Sequence, residues 1–300
     1  MDVLTTILRV SRPPGWCFGP ILYAIGAIHG RGPVRGYGPL LLQLLSLSFP
    51  LALVVFGVND VYDYDTDLLN PRKTADGLEG TVLSPAYHTP VLVSAALASL
   101  LIMYCSALTR TSQNLLTTLL LLALSWSYST PPLRLKERPI LDSLSNGLIV
   151  ILAYLSGYTA RGGRLLRPPA KGLVLGLCTA GVHALGAAVD ARADAAAGQR
   201  TIATVFGADG AVAFAALSYF VALCAEGSFT SIFGVYLLGG LGVTLLAFLD
   251  LDRAHLAFRL VVYWTVGMSS VWFADKVLAK ARELSGFDEE HEELGARYQL

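Results

Sequence analysis

Charge is scarce in this chain. Only 15% of its 300 residues are Asp, Glu, Lys or Arg, against about a quarter in soluble domains. Neither sign prevails, because 22 basic residues meet 22 acidic ones. A nucleic-acid footprint needs a clustered basic excess, so no nucleic-acid partner is expected. Disorder needs low hydrophobicity together with high charge, and 54% of the residues are apolar. Cysteine is sparse too. Cys17, Cys105, Cys178 and Cys224 sit in apolar stretches without paired spacing, which excludes a disulfide scaffold and reads as inert core thiols.

What the chain has in abundance is long apolar runs. Crossing about 30 Å of hydrocarbon takes roughly 20 helical residues. Nine candidates lie near 16–30, 38–58, 88–108, 113–129, 140–160, 171–189, 208–226, 230–249 and 256–275. Several carry Gly or Ser, which suits close helix packing in lipid. The first is read as a span and not a signal peptide, because no small-residue cleavage site follows it. Residues 2–11 form a short amphipathic lead-in to Pro13 and Pro14. The expected fold is all-α: a multi-pass integral membrane protein with nine transmembrane helices in one bundle over 1–276. A soluble acidic tail is expected over 277–300. With nine spans, the loops alternate between two sides, and nearly all carboxylates before the tail collect on the side of the N-terminus. The basic residues divide evenly, so the positive-inside rule gives no orientation.

Two carboxylate clusters stand out on that side. The second span closes on Phe56-Gly57-Val58-Asn59-Asp60-Val61-Tyr62-Asp63-Tyr64-Asp65-Thr66-Asp67. Asn59, Asp63 and Asp67 are spaced i, i+4, i+8, so a continuous helix aligns them in one polar stripe. Their side chains repel one another unless a cation sits among them, and Asp and Asn oxygens are hard ligands that suit Mg²⁺. The sixth span closes on Asp190 and Asp194, again one turn apart. Two Mg²⁺ sites facing each other clamp a diphosphate and neutralise its leaving oxygens, which is what breaking an allylic carbon–oxygen bond requires.

The same side supplies cations. Arg72 and Lys73 follow the first cluster. Arg134, Lys136 and Arg138 follow Tyr128 in the loop 128–138, and Arg192 and Arg200 flank the second cluster. Arg gives bidentate phosphate contacts and Lys a point charge. Of these, Lys73, Arg134 and Lys136 are expected to neutralise the diphosphate. Pro131 and Pro132 stop the preceding helix, leaving a loop able to cap a chamber. His183 lies about two turns inside the membrane from Asp190, where it stabilises a cation or orients a substrate, or else serves as a hydrogen-bonded core residue. Trp16, Phe18, Tyr23, Phe56, Trp126, Tyr154 and Tyr158 are candidate linings for a carbocation chamber through cation–π contact. Gly181, Gly186 and Ala187 either leave room for a prenyl chain or serve helix packing.

The two Asp motifs, in this order after the second and sixth spans, resemble those of the UbiA superfamily of intramembrane prenyltransferases. Asn59, Asp63 and Asp67 fit its first motif, and Asp190 and Asp194 its second. The stretches Tyr128–Pro132, 141–147 and 203–207 resemble its lycopene-elongase-like branch. The resemblance implies two or more Mg²⁺ held by these five residues. It implies a C10–C20 isoprenyl diphosphate whose prenyl cation passes to a lipophilic acceptor, within membrane lipid. It also implies that Tyr128, Arg134 and Lys136 help hold the diphosphate. The superfamily includes membrane terpene cyclases, so conversion of farnesyl diphosphate to a cyclic product without an acceptor stays open beside transfer. A transporter is the third candidate, because intramembrane charges often mark ion paths. It is disfavoured by carboxylates gathered at one face and by the lack of a convincing inverted repeat.

Overall fold

The computed structural model describes residues 2–30, 32, 36–69 and 82–297, without side chains at 280–281 and 283–297. All regular structure among them is helical. α1 (Val3–Val10) is the expected lead-in, capped by Asp2, whose Oδ1 accepts from Thr5 N at 2.8 Å. α2 (Phe18–His29) follows, then α3 (Tyr37–Tyr62) and the single turn α4 (Tyr64–Asp67). α5 is His88–Leu108, α6 Ser112–Ser129, α7 Leu141–Ala160, α8 Ala170–Ala196, α9 Ile202–Glu226, α10 Ile232–Leu249 and α11 Ala254–Arg297.

Seven helices among the described residues are long and apolar enough to cross a membrane, not nine. The chain is a multi-pass integral membrane protein. The two exceptions have physical reasons. α2 has 12 residues, about 18 Å at 1.5 Å per residue, which is shorter than the hydrocarbon core. α6 is long enough but carries Gln113, Asn114, Thr117 and Thr118 in its first two turns.

Of these, Asn114, Thr117 and Thr118 face inward, while Gln113 is exposed. Gln43 Nε2 donates to Asn114 Oδ1 at 3.0 Å, Tyr23 Oη to Gln43 Oε1 at 3.2 Å, and Asn114 Nδ2 to the Ser156 carbonyl at 2.6 Å. α2, α3, α6 and α7 are thereby tied by hydrogen bonds, while Leu97, Leu100, Leu166 and Leu249 point outward. Between apolar helices in lipid, polar glue and close packing replace the hydrophobic drive. α2 and α7 meet at reciprocal glycines. A Cβ on Gly26 would lie 1.9 Å from the Tyr154 carbonyl oxygen, and one on Gly157 at 1.9 Å from the Tyr23 carbonyl oxygen. α7 and α8 repeat the device at Gly147 and Gly176.

Two hydrophobic cores result. One joins α1 to α7 around Leu53, Val54, Val91, Ile102 and Leu121. The other joins α8 to α11 around Leu185, Ile202, Tyr219 and Leu237. Cys105 and Cys178 are buried as expected, but Cys17 and Cys224 are exposed. α11 runs unbroken past 277.

Candidate active site

α3 reaches the first cluster through a π turn at Leu53–Gly57, a distortion often found beside functional sites. The helix breaks at Asp63, where φ is −98° and ψ 1°. The i, i+4 ladder nevertheless survives the break. Asp63 N donates to the Asn59 carbonyl at 2.9 Å, and Asp67 N to the Asp63 carbonyl at 2.7 Å. Asn59, Asp63 and Asp67 therefore keep the shared face that their spacing predicts. All three line a cavity of about 530 Å³, whose walls also include Asp190 and Asp194 from α8. Asp63 and Asp67 are buried, while Asp190 and Asp194 are half-buried. Asp194 Oδ2 accepts from Thr201 Oγ1 at 3.5 Å.

Two of the four expected diphosphate residues, Tyr128 and Lys136, line the same cavity. Lys136 sits in the short helical turn Leu135–Glu137 and is almost fully buried. Its Nζ donates to Asp63 Oδ1 and, at 3.3 Å, to Asn59 Oδ1. Burial pushes the Lys136 ammonium below the usual lysine range, opposed by the Asp63 charge. Arg134 turns elsewhere. Its guanidinium donates to the Tyr62 carbonyl at 3.2 Å and pairs with Glu137 at 2.6 Å, and it is not among the described lining residues. Lys73 and Arg72 lie outside the described residues. Arg138 is exposed and donates to the Leu133 carbonyl at 2.6 Å, and Arg192 and Arg200 are exposed.

Sequence reasoning missed Arg12. It lines the cavity from the turn after α1, held by Asp60 at 2.9 Å and stacked 4.7 Å from the Phe56 ring centroid. Its Nε is buried without a hydrogen-bond partner. Asp60 is only 1% exposed, so the pair orients the guanidinium. An Arg placed between an apolar lead-in and a Pro-Pro pair was the available signal. The expected aromatic lining is corrected as well. Trp16 packs on Phe49, Tyr23 and Tyr154 are hydrogen-bonded to Gln43 and His29, and Phe56 supports Arg12. Among the described residues, the lining rings are Tyr128, His183 and Phe258. Gly181 serves helix packing against Ala215 and Ser218 of α9, whereas Gly186 and Ala187 face the cavity.

The donor set fits Mg²⁺. That ion takes one or two carboxylates and completes its octahedron with water and phosphate. Among the described residues, no three His, Cys, Asp or Glu side chains form a ready cage. The two clusters line one cavity, which leaves room for water and phosphate oxygens to complete such an ion's shell. A cation is already accommodated at the first of them, since the Lys136 ammonium lies against both Asn59 and Asp63.

A family model for the UbiA prenyltransferase family matches residues 17–273. The lycopene elongase/hydratase of Haloarcula japonica is 32% identical over 286 residues, which is 88% of this chain and 93% of that protein. The C(50) beta-cyclic carotenoids biosynthesis protein of Dietzia sp. is 33% identical over 222 residues, 74% of this chain and 50% of that protein. Among solved structures, a UbiA homolog from Archaeoglobus fulgidus bound to DMAPP and Mg²⁺ has a TM-score of 0.64 at 21% identity. The match covers 89% of this chain and 99% of that one. With its helical fold and its two facing Asp motifs, the chain belongs to the UbiA prenyltransferase family.

Proposed function

We propose that this enzyme ionises an allylic diphosphate in a Mg²⁺-dependent step and transfers the prenyl cation to an end of a linear carotenoid, releasing diphosphate. One observation carries this: two carboxylate clusters, from α3–α4 and α8, line one cavity with Tyr128, Lys136 and Arg12. Asn59, Asp63 and Asp67 would hold one Mg²⁺, and Asp190 and Asp194 the other. Bound there, the ions supply charge neutralisation on the leaving oxygens. Lys136 and Arg12 add donors to the diphosphate and Lys73 a further charge, while the Tyr128 hydroxyl is hydrogen-bonded to His183. Arg134 acts by bracing the Tyr62 carbonyl between Asn59 and Asp63.

The relatives' names favour transfer over cyclisation, and they bear on donor length. Lycopene has forty carbons and the Dietzia protein's product class fifty, a difference of two five-carbon units. We therefore assign dimethylallyl diphosphate as donor, shorter than the C10–C20 range that the resemblance implies. The catalytic unit is 1–276, with 277–300 as a soluble extension.

The test is an incubation of detergent-purified protein with dimethylallyl, geranyl, farnesyl and geranylgeranyl diphosphates. Each runs with and without lycopene and Mg²⁺, reading pyrophosphate and lipid products. The expected result is Mg²⁺-dependent pyrophosphate release with the five-carbon donor only when lycopene is present. Asp63→Ala and Asp190→Ala should each lose at least about a hundredfold in turnover while staying folded, since the metal contribution is several kcal/mol. An active Asp63→Ala or Asp190→Ala variant refutes the two-cluster mechanism. A cyclic hydrocarbon formed without acceptor replaces transfer with cyclisation.

A further inference from the structure

Transfer to an alkene leaves a problem that the metal sites do not solve. The donor carbon–oxygen bond breaks, its electron pair leaving with the diphosphate. The acceptor's π electrons then form the new carbon–carbon bond, which puts a positive charge on an acceptor carbon. That charge ends either by loss of a proton from a neighbouring carbon, giving an alkene, or by capture of water, giving an alcohol. Something must receive the proton.

Deep in the cavity, beyond the carboxylates, stands a hydrogen-bonded chain that the metal mechanism does not use. Tyr128 Oη lies 3.1 Å from His183 Nε2, and Ser143 Oγ lies 3.1 Å from His183 Nδ1. Tyr128 and His183 both line the cavity, and their rings meet edge to face at 84°. His183 sits seven residues before Asp190 on α8, about 10 Å deeper at 1.5 Å per residue. Tyr128 stands between the two levels, because its neighbour Ser129 donates to Asn59 Oδ1 at 3.0 Å. Tyr128 is thus within reach of a cation formed just below the diphosphate. Both imidazole nitrogens are taken up by hydroxyls. In one of the two tautomers that these distances allow, Tyr128 donates to Nε2 and Nδ1–H donates to Ser143. The Tyr128 oxygen, in a residue that lines the cavity, then keeps acceptor capacity for a proton.

We infer that Tyr128 and His183 form the proton acceptor that ends the reaction as an alkene. This rests on the transfer reading above. The C–H bond next to the cationic carbon gives its electron pair to the new C=C bond. Its proton goes to the Tyr128 oxygen as the phenol's own proton moves to His183 Nε2. Tyr128 is left neutral and His183 is an imidazolium held by Ser143. The proton later returns through Tyr128 to the released diphosphate, which resets the chain. A tertiary carbocation is acidic enough to surrender a proton to any base, so what the pair supplies is position. The wall around it mixes apolar Val182, Gly186, Ala187 and Phe258 with polar Asn146 and Thr179, so it is the placed base that favours proton loss over capture of water.

The experiment incubates the full-length enzyme with dimethylallyl diphosphate, lycopene and Mg²⁺, and measures the alkene-to-alcohol ratio of the products per pyrophosphate released. Counting per pyrophosphate separates this ratio from any change in turnover. His183→Gln keeps hydrogen bonding to Tyr128 and Ser143 but cannot hold the proton. Tyr128→Phe removes the port itself and serves should His183→Gln misfold. Both are expected to lower the ratio at least tenfold, whereas a packing role alone would lower turnover and leave the ratio alone. An unchanged ratio in both variants overturns the inference and assigns the proton to the diphosphate. A ratio that rises, or an unaltered enzyme that yields only alcohol, also overturns it and makes the pair an activator of water. Absence of pyrophosphate release from the unaltered enzyme is a different result, because it defeats the transfer reading itself.

Discussion

Asp63 is held by a cation from its own chain. In this structure its carboxylate pairs with the Lys136 ammonium, which also touches Asn59. The repulsion expected among bare carboxylates is therefore relieved from within the chain at this cluster. Arg12 is the second residue with a testable load. Its buried, unpaired Nε lies in a guanidinium fixed by Asp60 and Phe56. Arg12→Lys keeps the charge near Asp60 but removes the fork. Losing one charge-assisted hydrogen bond of about 1.5–3 kcal/mol should raise KM for the diphosphate roughly 10- to 100-fold. A steady-state titration of the donor checks this, and an unchanged KM removes Arg12 from the site. At this scale, legibility followed sequence distance. The Asp motifs could be read because their members lie four residues apart. Arg12 meets Asp60 across 48 positions, and His183 meets Tyr128 across 55 and Ser143 across 40. No local pattern encodes such pairings.

At the scale of elements, composition located the helices well, while their exact membrane role followed from packing. α6 looked like a span because its leucines dominate, yet its polar first turns belong to the interhelical network with Gln43. The break at Asp63 and the π turn before it were invisible to periodicity, since both keep the motif residues in near-helical register. The glycines of α2 and α7 were legible as packing residues in general but not as a reciprocal pair. Gly157→Ala would drive a methyl group into the Tyr23 carbonyl. The two helices must then separate, at a cost of about 1–3 kcal/mol. Gly242→Ala on α10 meets no atom within 4 Å and should be neutral or slightly stabilising, because alanine is the better helix former. Thermal melts of both variants in one detergent decide the matter. Equal melting temperatures would mean that the crossing is not tight.

Across the whole molecule, the cavity lies on the seam between two cores. The first carboxylate cluster belongs to the core built by α1–α7 and the second to that of α8–α11. Ligands shared by both clusters would therefore staple the halves together. Mg²⁺ with inorganic pyrophosphate should raise the melting temperature more than either alone. At a hundredfold excess over Kd, binding adds about 2.7 kcal/mol, a shift on the order of 5–10 °C. Asp190→Asn should lose most of that shift. A full shift in the variant would mean that the ions bind without bridging the seam.

The size of this chamber also sets how work on a long acceptor must proceed. About 530 Å³ falls within the range that encloses a drug-sized ligand. Under the proposed transfer to a carotenoid, it would take a prenyl diphosphate and one terminus of the acceptor, while the remainder of that molecule would stay in the bilayer. An acceptor with two equivalent ends cannot present both in a single visit. After the first transfer it must withdraw, turn around in the lipid and dock again. On that reading the enzyme would be distributive: the singly extended product should escape into the membrane as a free species and accumulate early in the time course, which sampling the products over time checks. It must also compete with unextended acceptor for the same entrance, so the balance between one addition and two is governed by the supply of acceptor in the bilayer.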